Sequence, residues 1–178
     1  MIARGERALI INSGSKQGIT LPPGNAGYNL SKAGVRAYTE TLAHELRGVA
    51  GGAVSAHLLI PGFTHTGMTA RSADKPPAAW TPAQVIDFML VSLTRNEFYI
   101  LCLDNDVTRA IDEQLIQWMA DDLIKNRPAL TRWHPQFADG FAAFMKRRAA
   151  PNGILRSPLR KLDRESMVTV VSASSRHV

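Results

Sequence analysis

A tyrosine and a lysine stand four positions apart, at Tyr28 and Lys32, in a segment with the composition of a helix. Side chains four residues apart share one face of a helix. A tyrosine hydroxyl is protonated at neutral pH, and a nearby ammonium group favours its phenolate form. Such a pair suits general acid/base chemistry on an alcohol or a carbonyl. The Y-x-x-x-K spacing alone is a weak indication, because a surface Tyr beside a surface Lys gives the same letters.

Apolar runs and turn residues divide the chain into alternating strands and helices. The runs predict buried strands at residues 8–11, 54–60 and 98–103. Helices are expected at about residues 28–47, 81–95 and 107–126, with a last short helix near residues 137–145. Long helices between strands indicate a parallel sheet with right-handed crossovers. The predicted fold class is therefore α/β, as a partial Rossmann-type parallel sheet with flanking helices.

Local patterns define the expected ends and faces of these helices. Thr81, Pro82 and Gln84 predict an N-cap, a first helical residue and a capping box. Gly48 is expected to end the helix that carries Tyr28. One apolar stripe is predicted on the helix at 107–126, formed by Ile111, Leu115, Trp118, Met119 and Leu123.

The order of these features resembles the short-chain dehydrogenase/reductase family. Its members have a strand, a serine loop, a Y-x-x-x-K sequence on a helix, another strand and then P-G-x-x-x-T. Here a loop with Ser15 precedes Tyr28 and Lys32, and the strand at 54–60 is followed by Pro61-Gly62 and by Thr66. The resemblance covers residues 8–68 in detail, and the strand at 98–103 matches the last strand of that fold more loosely.

The resemblance implies a Ser-Tyr-Lys catalytic set of Ser15, Tyr28 and Lys32. Tyr28 would be the catalytic acid/base, and Lys32 would assist it and bind the ribose hydroxyls of the nicotinamide. Ser15 would hydrogen-bond the substrate oxygen and stabilise charge that develops there. Ser13 is the competing serine. We prefer Ser15 because of its spacing to Tyr28 and because Gly18 follows three residues later.

The resemblance also implies a cofactor and a reaction. Besides Tyr28 and Lys32, it implies that Pro61 and Gly62 lie against the nicotinamide and that Thr66 bonds its carboxamide. The implied cofactor is NAD or NADP. The implied reaction is hydride transfer that interconverts an alcohol and a carbonyl, so the expected partner is a small-molecule substrate of that class.

The chain departs from the family in its N-terminal part. No G-x-G-x-x-G or G-x-x-x-G-x-G turn lies before Ser15, and in the family that turn receives the pyrophosphate at a helix N-terminus. We therefore expect a truncated dehydrogenase domain at residues 1–145. The alternative is a non-catalytic fragment that cannot bind a dinucleotide and at most associates with other chains. In the family the tyrosine-bearing helix packs against its copy, so a homo-oligomer through residues 28–47 is expected.

Charge and composition limit the remaining classes of function. The net charge of +6 lies wholly in residues 146–178, which we interpret as a basic, disordered tail. A nucleic-acid binder acting through that tail is a minor hypothesis, and we expect no nucleic-acid partner. Cys102 is the single cysteine, and the five histidines show no metal-ligand spacing, so no metal site is expected. Without a signal peptide or a long apolar run, we expect a cytoplasmic protein and no membrane partner.

Overall fold

The computed structural model describes residues 2–49, 53–67 and 74–147. Three parallel strands form one sheet in the order β1-β2-β3. The strands are β1 (Ala8–Ser13), β2 (Val54–Ile60) and β3 (Tyr99–Leu101). The α-helices are α1 (Gln17–Thr20), α2 (Ala26–Val49), α3 (Pro82–Thr94), α4 (Arg109–Ile124) and α5 (Ala138–Arg147). The predicted partial parallel sheet with flanking helices is confirmed.

The central strand β2 is buried along nearly its whole length, as its continuous apolar sequence predicts. Successive side chains point to opposite faces of the sheet. On one face, α3 packs on the sheet through Val85, Met89 and Leu93. These side chains form one cluster with Leu59, Ile100 and Cys102. On the other face, α2 and α4 cover Leu58, Ile60 and Leu101 through Val35 and Ile116. The sheet is therefore covered by helices on both faces. A ligand could reach it at the ends of its strands.

The start of α3 agrees with the sequence prediction, and the end of α2 does not. Thr81 caps α3 as predicted, because its hydroxyl accepts a hydrogen bond from Gln84 N and its N–H donates to the Gln84 side chain. Gly48 does not end α2, which continues to Val49. A glycine weakens a helix by about 1 kcal/mol and does not by itself end one.

The predicted apolar stripe on α4 is wrong at its last position, since Leu123 is 87% exposed. Asp122 takes the interior position instead, because it follows the buried Trp118 by four residues and so lies on the same helix face. Its carboxylate accepts hydrogen bonds from the backbone and side chain of Thr131 and pairs with Arg127 at 2.8 Å.

Two further boundaries differ from the sequence prediction. β3 spans Tyr99–Leu101, shorter than residues 98–103, because it pairs only with Leu58, Leu59 and Ile60 at the end of β2. The loop after β1, predicted without regular structure, contains the single helical turn α1.

No helix in the described ranges is long and apolar enough to cross a membrane. Of the predicted basic tail, residues 148–178 lie outside the described part of the chain.

Candidate active site

The loops that follow β1 and β2 run side by side at the carboxyl edge of the sheet. Gly14 N donates to Leu59 O at 2.7 Å, and Lys16 N donates to Pro61 O at 3.4 Å. The carboxyl edge is where open parallel α/β sheets bind their ligands. The serine loop and the Pro61-Gly62 loop, which the sequence separates by 45 residues or more, are thereby brought together.

The lysine of the predicted catalytic set links α2 to the end of β1. Lys32 Nζ donates to Ser13 O at 3.0 Å and lies 5.7 Å from the centre of the Tyr28 ring. The start of α2 is held by Asn25, whose side-chain oxygen accepts a hydrogen bond from Tyr28 N at 3.1 Å. The helix therefore brings Tyr28 and Lys32 onto one face, as the four-residue spacing predicts. Both side chains are half-buried.

The two candidate serines have different surroundings. Ser15 is half-buried, and its Oγ accepts a hydrogen bond from Gln17 N at 3.2 Å, while its carbonyl accepts one from Gly18 N at 3.0 Å. Ser13 is exposed and contributes its backbone carbonyl to Lys32. The preference for Ser15 over Ser13 as the substrate-binding hydroxyl stays a prediction.

Close packing of α1 on α2 fixes the serine loop against the lysine. A Cβ added to Gly18 would lie 2.6 Å from the Lys32 carbonyl carbon and 2.7 Å from its oxygen. Only a residue without a side chain permits this approach. A second tie comes from Asn12 at the end of β1, whose side chain donates to Thr39 Oγ1 of α2 at 3.1 Å.

The predicted cofactor-side residues lie in the loop after β2. A Cβ on Gly62 would meet Asp104 Oδ2 at 2.7 Å, so this glycine is pressed against the loop that follows β3. Thr66 lies further along the same loop and is half-buried. The roles predicted for Pro61, Gly62 and Thr66 toward a nicotinamide stay predictions.

A buried ion cluster lies beneath these loops, and the sequence analysis missed it. Lys16 Nζ lies 3.3 Å from Asp104 Oδ2 and 2.8 Å from Asp112 Oδ2. Burial raises the pKa of Asp112, and the Lys16 ammonium opposes that rise without cancelling it. No spacing rule connects Lys16 to carboxylates so distant in the chain, so only the charge of the residue beside Ser15 could have drawn attention to it.

The cysteine beside the sheet is not a reactive nucleophile. Burial raises the pKa of Cys102 to about 12, so its thiol is not ionised at neutral pH, although Lys16 acts in the opposite direction. In the described part of the chain, no cluster of His, Cys, Asp or Glu could hold a metal ion.

The residues at the carboxyl edge fit one end of a dinucleotide. Lys32 offers an ammonium beside a half-buried tyrosine, and Gly62 brings backbone close to the strand ends. A pyrophosphate is ordinarily received by a G-x-G-x-x-G turn at a helix N-terminus, and the described residues contain no such sequence.

The chain is similar to known proteins over part of its length. Residues 1–77 match the family model for short chain dehydrogenases. Carbonyl reductase family member 4 of Danio rerio is 37% identical over 82 residues, which make up 46% of this chain and 32% of that protein. A short chain dehydrogenase/reductase from Burkholderia phymatum, solved in complex with NAD, is 25% identical with a TM-score of 0.56, over 71% of this chain and 52% of that one.

The chain spans about a third of the length of that curated relative and about half of the solved structure. The sequence match covers the serine loop, the tyrosine-bearing helix, β2 and the loop after it. The structural match extends beyond those residues, since it covers 71% of this chain. Over residues 1–77, therefore, the chain is similar to short chain dehydrogenases.

Proposed function

We propose that the chain carries the proton-transfer site of an NAD(P)-dependent oxidoreductase that interconverts an alcohol and a carbonyl group. The observation that carries the proposal is the position of the Lys32 ammonium, 5.7 Å from the Tyr28 ring centre and hydrogen-bonded to Ser13 O. A tyrosine that exchanges protons near neutral pH needs a cation held beside it. The backbone at the end of β1 holds that cation in place.

Each member of the catalytic set has a distinct role in this proposal. In the reducing direction, the Tyr28 hydroxyl gives its proton to the substrate oxygen, and in the oxidising direction the phenolate takes a proton from the alcohol. Lys32 stabilises the phenolate. Ser15 donates a hydrogen bond to the substrate oxygen and so stabilises negative charge there. Bound NAD or NADP supplies the hydride for reduction and accepts it in oxidation.

The residues that would hold the nicotinamide end surround the same edge of the sheet. Lys32 would bond the ribose hydroxyls, Pro61 and Gly62 would lie against the ring, and Thr66 would bond the carboxamide. The substrate would be a small alcohol or carbonyl compound. These assignments are supported by the family match over residues 1–77, which includes all of these positions.

We further propose that the chain self-associates through α2. Leu30 lies on this helix with 75% of its surface exposed, so its side chain is available to a partner. Light scattering across a range of protein concentrations tests this proposal. A dimer or larger assembly is expected, and a monomer at every concentration would contradict it.

An alternative function is that of a non-catalytic association module. The observation that favours it is the lack of a G-x-G-x-x-G turn in the residues that the structure describes. Such a chain would keep Tyr28 and Lys32 in place and would still fail to hold a dinucleotide.

Fluorescence titration of the purified chain with NADH and NADPH separates the two functions. Saturable binding of either cofactor is expected, and Lys32→Met should weaken it by about tenfold to a hundredfold because a charge-assisted hydrogen bond is lost. Lys125→Met, on the exposed end of α4, is the matched control and should bind as the wild type does. A folded wild-type chain that binds neither cofactor would overturn the proposed oxidoreductase and favour the alternative.

A further inference from the structure

Lys16, Asp104 and Asp112 form a buried cluster, here called the Lys16 cluster, that joins separate parts of the fold. Lys16 follows Ser15 after β1, Asp104 follows β3, and Asp112 lies in the first turn of α4. Their side chains are 17%, 8% and 5% exposed. Charges this well buried are retained only when they are paired, because an isolated buried charge is costly.

The cluster also holds the loop that follows β2. Asp104 Oδ2 accepts a hydrogen bond from Phe63 N at 3.4 Å, and Asp104 Oδ1 accepts one from Val107 N at 2.8 Å. A Cβ on Gly62 would lie 2.7 Å from Asp104 Oδ2 and 3.2 Å from Lys16 Cε. The Lys16 cluster thus contacts the loops that follow all three strands of the sheet.

Other ion pairs in the described residues connect close neighbours in the chain. Several join side chains four residues apart on one helix, namely Arg36–Glu40, Arg109–Glu113 and Lys125–Asp121. The pairs of Lys16 instead connect residues that are far apart in sequence. A pair within one helix supports that helix, whereas a pair between loops sets the distance between them.

We propose that Lys16 is a positioning residue that sets the Ser15 turn against the Gly62 loop through Asp104 and Asp112. This inference rests on the proposed function, in which Ser15 contacts the substrate and Gly62 contacts the nicotinamide. Without the Lys16 ammonium, two buried carboxylates would face each other with no cation between them, and the loop that carries Asp104 and the first turn of α4 would move apart. A misplacement of about 1 Å between reacting groups can cost about a hundredfold in rate.

The test compares Lys16→Met with Lys125→Met, which removes an ion pair at the C-terminal end of α4. Backbone amide resonances report loop positions whether or not the chain is active. Lys16→Met should shift the resonances of Ser15, Gly62 and Phe63, and Lys125→Met should leave them in place. In the presence of NADH or NADPH with diacetyl as the probe substrate, Lys16→Met should lower kcat by about tenfold to a hundredfold. Lys16→Arg should restore part of that loss, because it restores the charge.

The outcomes separate this inference from the proposed function. Wild-type protein that binds no cofactor overturns the oxidoreductase, while the amide shifts still decide whether Lys16 positions the loops. A Lys16→Met protein that melts at a lower temperature but keeps its kcat and the resonances of Ser15 and Phe63 shows a purely structural ion pair and overturns the inference. If Lys16→Met does not fold, Asp112→Asn serves in its place, with the same resonances expected to shift by a smaller amount.

Discussion

At the scale of single residues, Gly18 sets how closely the serine turn approaches Lys32, the lysine of the proposed catalytic set. Its Cα hydrogens face the backbone of Lys32, where even a methyl group would come within 2.6–2.8 Å of three atoms. The atoms in contact include the Lys32 carbonyl group, which α2 holds in its own hydrogen-bond pattern. A larger residue must therefore displace α1 from α2 and take the Ser15 turn with it.

Gly18→Ala should lower the free energy of unfolding by about 1–3 kcal/mol, the usual cost of overpacking. Gly34→Ala is the matched control on α2, since a Cβ there meets nothing within 4 Å. It should instead stabilise the chain by up to about 1 kcal/mol through helix propensity. Urea unfolding monitored by circular dichroism measures both changes. A Gly18→Ala protein as stable as Gly34→Ala would contradict the close packing of α1 on α2.

Cys102 should be inert in the folded protein. It is fully buried, and burial raises its pKa to about 12, so both access and the thiolate form are lacking near neutral pH. Ellman's reagent at about pH 8 should release no thiolate product from the native chain within minutes, and one equivalent after unfolding in concentrated guanidinium. Because the chain has a single cysteine, prompt stoichiometric release from native protein would refute the burial of Cys102, which directly follows β3.

The contact between residues close in the sequence could be predicted, and the contacts between residues far apart in the sequence could not. Tyr28 and Lys32 are related by one helical turn, so their spacing alone places them on one face. The Lys16 cluster depends on the order of the strands and on the entry angle of α4, and no local pattern contains that information. No spacing pattern in the sequence distinguishes its three residues from other charged residues.

At the scale of the elements, one polar contact ties α2 to the edge strand β3. Tyr99 donates its hydroxyl hydrogen to Glu40 Oε1 at 2.8 Å, and Arg36 Nε pairs with the same oxygen at 2.8 Å. Burial acts to raise the pKa of Glu40, but the hydrogen bonds from Arg36 and Tyr99 outweigh it and lower that pKa below its usual value. Burial and the bond to Glu40 raise the pKa of Tyr99.

Tyr99→Phe should reduce the free energy of unfolding by about 0.5–1 kcal/mol at neutral pH. A carboxylate whose pKa is lowered by folding contributes stability above its unfolded pKa and loses it as the pH falls through the folded pKa. The difference between wild type and Tyr99→Phe should therefore shrink below the usual pKa of a glutamate, 4.5. Urea unfolding at neutral and acidic pH measures it, with Tyr38→Phe as an exposed control. A difference that stays constant with pH would exclude the Glu40 contact.

A strand or helix could be predicted from the sequence where a single local pattern determines its position. The apolar run of β2 and the capping box of α3 each specify their element without help from the rest of the chain. The sequence predictions for the face of α4 and the length of β3 were wrong, because contacts with other elements determine both. Leu123 is exposed because Asp122 is the buried residue at this end of α4, where it contacts Thr131 and Arg127. The strand β3 is short because it pairs only with the last residues of β2.

At the scale of the whole molecule, the parallel sheet explains why distant residues meet. Because all three strands point the same way, their carboxyl ends collect Ser15, Gly62 and Asp104 at one edge. The alternation of strands and helices predicted this arrangement, but the sequence could not give the distances within it. The division into a domain at residues 1–145 and a basic tail stays a prediction, since residues 148–178 lie outside the described structure.

The proposed active site is tested most directly by the turnover of Tyr28→Phe beside that of Tyr38→Phe, another tyrosine of α2, which is 63% exposed. The assay follows oxidation of NADH or NADPH with diacetyl or benzaldehyde as the carbonyl probe. Loss of a general acid should lower kcat by about 10²–10⁴-fold in Tyr28→Phe, while Tyr38→Phe should stay within about twofold of the wild type. Equal turnover by Tyr28→Phe and the wild type would contradict the assignment of Tyr28 as the proton donor, and with it the proposed site.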